Sequence, residues 1–117
     1  MGYYARGSGN ITFSRELDDS DVRRIGKLLD AEYYDYDFFA EQRKKSRMNP
    51  QQPIGVDFWQ DDKYHGDSVE KMLGEIASVA PIKEGELRYI GEDDSLWRFR
   101  FVQDGGWVEE NGRIVYE

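Results

Sequence analysis

Between Asp30 and Phe39 the chain alternates carboxylates with aromatic rings and carries no basic residue. Five of the seven positions from Tyr33 to Phe39 are aromatic, and Asp30, Glu32, Asp35 and Asp37 are interleaved with them. A solvated loop has no need of so many rings. A buried core has no use for the acids, because a buried carboxylate needs a partner or is driven to protonate. An extended strand with unlike faces accommodates both, with Tyr34, Tyr36 and Phe38 on one side and Asp35 and Asp37 on the other. A helix continuing towards Gln42 is the competing reading. The β-favouring tyrosines and helix-disfavoured aspartates favour strand or extended chain.

The flanking segments give the architecture. Asn10 to Ser14 alternates polar and apolar, so residues 3–14 read as a strand, and Gly7 and Gly9 suggest a bulge or a close backbone approach. Asp18, Asp19, Ser20 and Asp21 supply caps for a helix over about residues 20–31, with Val22, Ile25, Leu28 and Leu29 at helical spacing. Gly26 weakens that helix by roughly 1 kcal/mol relative to Ala. Glu41 to Pro53 reads as a loop holding the only basic patch, Ile54 to Trp59 as a strand and Gln60 to Gly66 as a turn. Asp67 and Glu70 make a capping-box-like start to a helix over 68–79, which Pro81 ends. Four strands follow at 86–90, 96–103, 107–110 and 113–116, with Trp97, Phe99 and Phe101 on one face and Arg98 and Arg100 on the other. Asn111-Gly112 is a two-residue hairpin turn. The expected fold is α+β over residues 1–117 as one domain: a mostly antiparallel sheet with a four-strand C-terminal meander and two helices packed on one face.

A net charge of −8 argues against direct nucleic-acid binding, which needs Lys and Arg to displace phosphate counterions. Keeping a small protein soluble is the default role of such a charge, and competing for proteins that bind nucleic acid is another. The absence of cysteine removes disulfides, thiolate zinc sites and thiol nucleophiles, and fits a cytoplasmic protein. No apolar run approaches the roughly 18–20 residues of a membrane span. The aromatic share of 15% is high, and a few rings can bury much surface, so the core is expected to be real but thin, with many aromatics only partly covered.

Chemistry-bearing motifs are sparse. His65, the one histidine, has no Ser or Cys in a triad arrangement and reads as a turn residue. Neither Asp18 to Asp21 nor Glu92 to Asp94 follows the calcium-loop pattern, and no Gly-rich segment forms a phosphate loop. No cofactor, metal or catalytic residue is assigned. Charge is concentrated instead: residues 16–41 hold nine acids against three bases, giving −6 of the chain's −8. On a strand, Asp35 and Asp37 stand about 7 Å apart, a phosphate-like row. The alternative is that the rings fill the core while the acids merely face water. The candidate partner-binding residues are Asp30, Glu32, Tyr34, Asp35, Tyr36 and Asp37.

The segments Gly85 to Asp93, Trp97-Arg98 and Glu110 to Tyr116 resemble the tail of small uncharacterised proteins of bacteriophages and mobile elements of Gram-positive bacteria. Met1-Gly2-Tyr3 with Gly9-Asn10-Ile11 is similar to their first strand. By size and charge the chain also resembles acidic anti-defence proteins, including anti-CRISPR proteins. That resemblance implies a non-catalytic inhibitor in the host cytoplasm, which occupies the basic surface of a nucleic-acid-handling defence protein such as a CRISPR effector. A second reading is a phage structural or assembly protein that forms a homodimer through an edge strand, Arg113–Tyr116 or Ile11–Phe13. A third is an enzyme or small-ligand binder with a pocket between sheet and helices.

Overall fold

A computed structural model describes residues 4–40, 52–63, 66–103 and 105–112. In chain order the elements are β1 (Tyr4–Phe13), α1 (Asp19–Ala31), β2 (Asp35–Phe39), β3 (Gly55–Lys63), α2 (Gly66–Val79), β4 (Ile82–Gly91), β5 (Leu96–Val102) and β6 (Gly106–Asn111). The strands form one sheet in the order β2-β3-β1-β4-β5-β6, and every neighbouring pair is antiparallel. The first six elements thus run β-α-β-β-α-β with β3 between β2 and β1, the split arrangement of ferredoxin-like folds. Strands β5 and β6 extend it as a meander.

The α+β class is as expected, and so is the extended conformation of β2. Several boundaries differ. Residues 60–63 continue β3 instead of turning, because β3 pairs with β1 along its whole length out to Tyr4 opposite Lys63. Ladder hydrogen bonds outweigh the polar composition of that segment. β4 begins at Ile82, only three residues after α2. The meander has three strands among the described residues, and the proposed fourth, 113–116, lies outside them, as do residues 41–51 of the expected basic loop. Ile11–Phe13 is not an edge, since β1 is hydrogen-bonded on both sides. No helix among the described residues is long and apolar enough to cross a membrane.

Burial alternates along the strands and so identifies the covered face. Ala5, Ile11, Phe13, Val56, Phe58, Leu87, Tyr89 and Phe99 are buried with Ile25 and Leu29 of α1 and Met72, Leu73 and Ile76 of α2. Trp97, Phe101 and Trp107 are only partly buried against this core, whereas Phe13, Tyr34, Phe58, Tyr89 and Phe99 are buried, so the aromatics are better covered than expected. The Trp107 indole donates to the Leu73 carbonyl at 3.0 Å and ties β6 to α2. The strand glycines make room for this packing. A side chain on Gly9 would meet the Glu86 carbonyl and the Phe58 ring, both at 2.8 Å. The irregularity in β1 falls at Thr12/Phe13, so Gly9 marks a close approach and not a bulge.

Candidate functional site

The end of α1 sets the geometry of the acidic strand. The Tyr33 amide donates to the Asp30 carbonyl and the Tyr34 amide to the Leu29 carbonyl, both at 3.0 Å. This pair of bonds is a Schellman motif, and its hydrophobic partners, Leu29 and Tyr34, are both buried. The motif requires a left-handed residue at position 33, normally glycine. Here it is Tyr33, at φ 62° and 79% exposed. Holding a tyrosine in that conformation costs on the order of 1 kcal/mol, and exposure returns none of it.

The six predicted residues divide among four environments. Tyr34 is core: it packs edge-on against Phe58, hydrogen-bonds the Tyr89 hydroxyl and cannot serve as a surface anchor. Tyr36 lies on the helix side, where its hydroxyl donates to Asp30 Oδ2 at 3.2 Å. That hydroxyl lies 2.9 Å from where a Cβ on Gly26 would stand, so a side chain there would displace it. Burial and the Asp30 carboxylate raise the Tyr36 pKa above its usual value. Glu32 accepts a bond from Gln60 at its backbone carbonyl. Only Asp35 and Asp37 stand exposed on the helix-free face.

Register carries the rows of that face across the sheet. Asp37 lies opposite Asp57, and the row continues through Asn10, Glu86 and Arg100. Asp35 lies opposite Trp59, and its row continues through Ser8, Arg88, Arg98 and Glu110. The two halves of the face differ in how their charge is handled. On β4 to β6, Glu86 accepts from Arg88 at 2.6 Å and Arg98 at 3.1 Å, while Glu110 accepts from Arg98 at 3.1 Å and Arg100 at 2.8 Å. These bonds hold both glutamate carboxyls below the usual range, Glu86 chiefly through Arg88 and Glu110 chiefly through Arg100. On β2 and β3, no basic side chain among the described residues pairs with Asp35, Asp37 or Asp57. Among the described residues Asp61 pairs with Arg6, at 3.6 Å with both side chains at least 70% exposed, a contact of little energetic weight. The like charges of Asp37 and Asp57 face each other directly, which destabilises a strand pair.

Sequence reasoning missed Asp57, Trp59 and Asp61, although they alternate along one strand. Reading residues 60–66 as a turn hid Asp61, and nothing local shows that β3 pairs with β2. The acidic run at 16–21 has a different role. Asp18 and Asp21 form a reciprocal capping box, and Arg15 donates to Asp21 at 2.6 Å. That bond, opposed by burial, holds the Asp21 carboxyl below its ordinary pKa. Its stabilisation is therefore present above the unfolded value near pH 4 and is lost as pH falls through the lower folded value. Wild type should lose more urea stability between pH 7 and pH 3 than Asp21→Asn does. Equal losses would show that the Arg15 contact contributes nothing.

Among the described residues no group of three or more acids and histidines is placed to hold a metal ion, and His65 lies outside them. No protein-family model, curated protein or solved structure matches the chain.

Proposed function

We propose that this protein is a non-catalytic acidic inhibitor. It docks the β2–β3 side of its helix-free face on the basic, nucleic-acid-binding surface of a host defence protein, with a CRISPR effector as the expected target. The observation that carries this reading is the contrast across one sheet: on β4 to β6 both Glu86 and Glu110 are paired with arginines, while Asp35, Asp37 and Asp57 have no basic partner among the described residues. A fold that needed acids only for solubility would spread them, and would gain by separating Asp37 from Asp57. A row of carboxylates presents the sign and spacing of a phosphate strand to Arg and Lys on the target.

Binding of this kind weakens as salt rises. Replacing Asp35 and Asp37 together with Asn is expected to abolish capture of the target while leaving the circular dichroism spectrum unchanged and the unfolding midpoint at or somewhat above wild type, since the Asp37–Asp57 repulsion is relieved. Unchanged affinity in that variant would refute charge mimicry.

A further inference from the structure

We propose that Tyr33, Asp35, Trp59 and Asp61 form a cleft that receives an arginine side chain of the basic partner, an inference that rests on the docking reading above. Asp35 sits opposite Trp59 in the β2–β3 register, and Asp61 follows Trp59 by two positions on the same face of β3. Tyr33 adjoins Asp35 at the head of β2. Together with Arg6 and Ser8 these residues line an open depression of about 450 Å³, ample for one guanidinium. Trp59 is 42% and Tyr33 79% exposed, two of four large apolar side chains left outside among the described residues.

Rings beside carboxylates select a cation. A guanidinium stacks on an indole face while its edge donates in parallel to a carboxylate, whereas an ammonium offers a point charge without a plane. A nucleobase would also stack, but Asp35 and Asp61 repel the phosphates it brings. The cleft is charge-complementary to arginine even within this chain. Arg6 reaches Asp61 at 3.6 Å from across the β1–β3 pair, so an internal guanidinium already touches one wall. A partner arginine that engages Asp61 displaces it. The placement of Tyr33 points the same way, since glycine would satisfy the Schellman turn without strain, and tyrosine keeps a ring at the cleft mouth.

The test is isothermal titration, at low salt, of the full chain with a synthetic peptide of Arg-Gly repeats and with its Lys-Gly counterpart. The arginine peptide should bind the tighter. Trp59→Thr should weaken arginine-peptide binding roughly tenfold, and Tyr33→Gly should weaken it without lowering the unfolding midpoint. Arg6→Gln should tighten it, a gain that damage to the fold cannot imitate. Wild-type affinity in both Trp59→Thr and Arg6→Gln would overturn the cleft, as would failure of wild type to bind the arginine peptide. Asp37 and Asp57 stand outside the cleft, so the Asp37→Asn, Asp57→Asn variant separates the two ideas. Loss of target capture there, with the cleft variants unaffected, refutes the cleft and leaves acidic docking standing; no loss there refutes the docking reading itself.

Discussion

Replacing Asp37 and Asp57 together with Asn is expected to make the domain more stable and its complex far weaker. The two carboxylates are directly opposite in the β2–β3 ladder, on the exposed face, and neither has a basic partner among the described residues. Relieving the repulsion should raise folding stability by a few tenths to about 1 kcal/mol. In the proposed complex the same carboxylates would meet Arg or Lys, and truncating one member of a desolvated charge pair costs about 2–5 kcal/mol. The double variant should therefore bind at least about a thousandfold more weakly. Urea unfolding and titration against the captured target measure the two effects separately. A residue kept at the expense of the fold and needed by the complex moves both in opposite directions. A variant less stable than wild type, or one that binds as well, would show that the acids serve folding or solubility alone.

The second large effect concerns the framework. Gly9→Val is expected to remove at least about 3 kcal/mol of stability, a large share of what a small domain possesses. Gly9 lies in β1, with β3 and β4 hydrogen-bonded on either side. The atoms a new Cβ would strike are a backbone carbonyl of β4 and the ring of buried Phe58, both at 2.8 Å. Neither can withdraw without breaking the ladder or opening the core. The urea midpoint should fall by roughly 1–3 M. A midpoint equal to wild type would mean that the approach of β1 to β4 is looser than described.

Local pattern made much of this fold legible. The helical spacing of Val22, Ile25 and Leu29 and the cap at Asp18 gave α1 nearly to the residue. The alternation at Trp97, Phe99 and Phe101 gave β5 and its inner face. Adjacency was not legible. Whether β2 follows β1 in the sheet or is separated from it by β3 depends on long-range pairing, which leaves no mark in either strand. For that reason Asp35 and Asp37 could be singled out from alternation alone, whereas Asp57, Trp59 and Asp61 could not be joined to them. Tyr34 was misplaced among the docking residues for a related reason. Its burial follows from the Schellman turn that precedes β2, and a tyrosine at the turn position gives no signal of the left-handed residue that a glycine would have announced.

Position along the chain does not show which carboxylates are already paired. Residues 16–41 carry most of the net charge, but Asp18 and Asp21 are spent on capping α1 and on Arg15. On the sheet, Asp35, Asp37 and Asp57 have no basic partner among the described residues. They are spread over two strands that the β2–β3 pairing brings together.

The most direct test of acidic docking is a capture experiment from bacterial lysate at low and high salt, with mass spectrometry of the bound proteins. Wild type and the Asp35→Asn, Asp37→Asn, Asp57→Asn variant are compared side by side. Wild type is expected to retain a nucleic-acid-binding defence protein at low salt and to release it at high salt, and the variant to retain it at neither. Recovery of the same proteins by both chains, or of only the protein itself at both salts, would contradict acidic docking.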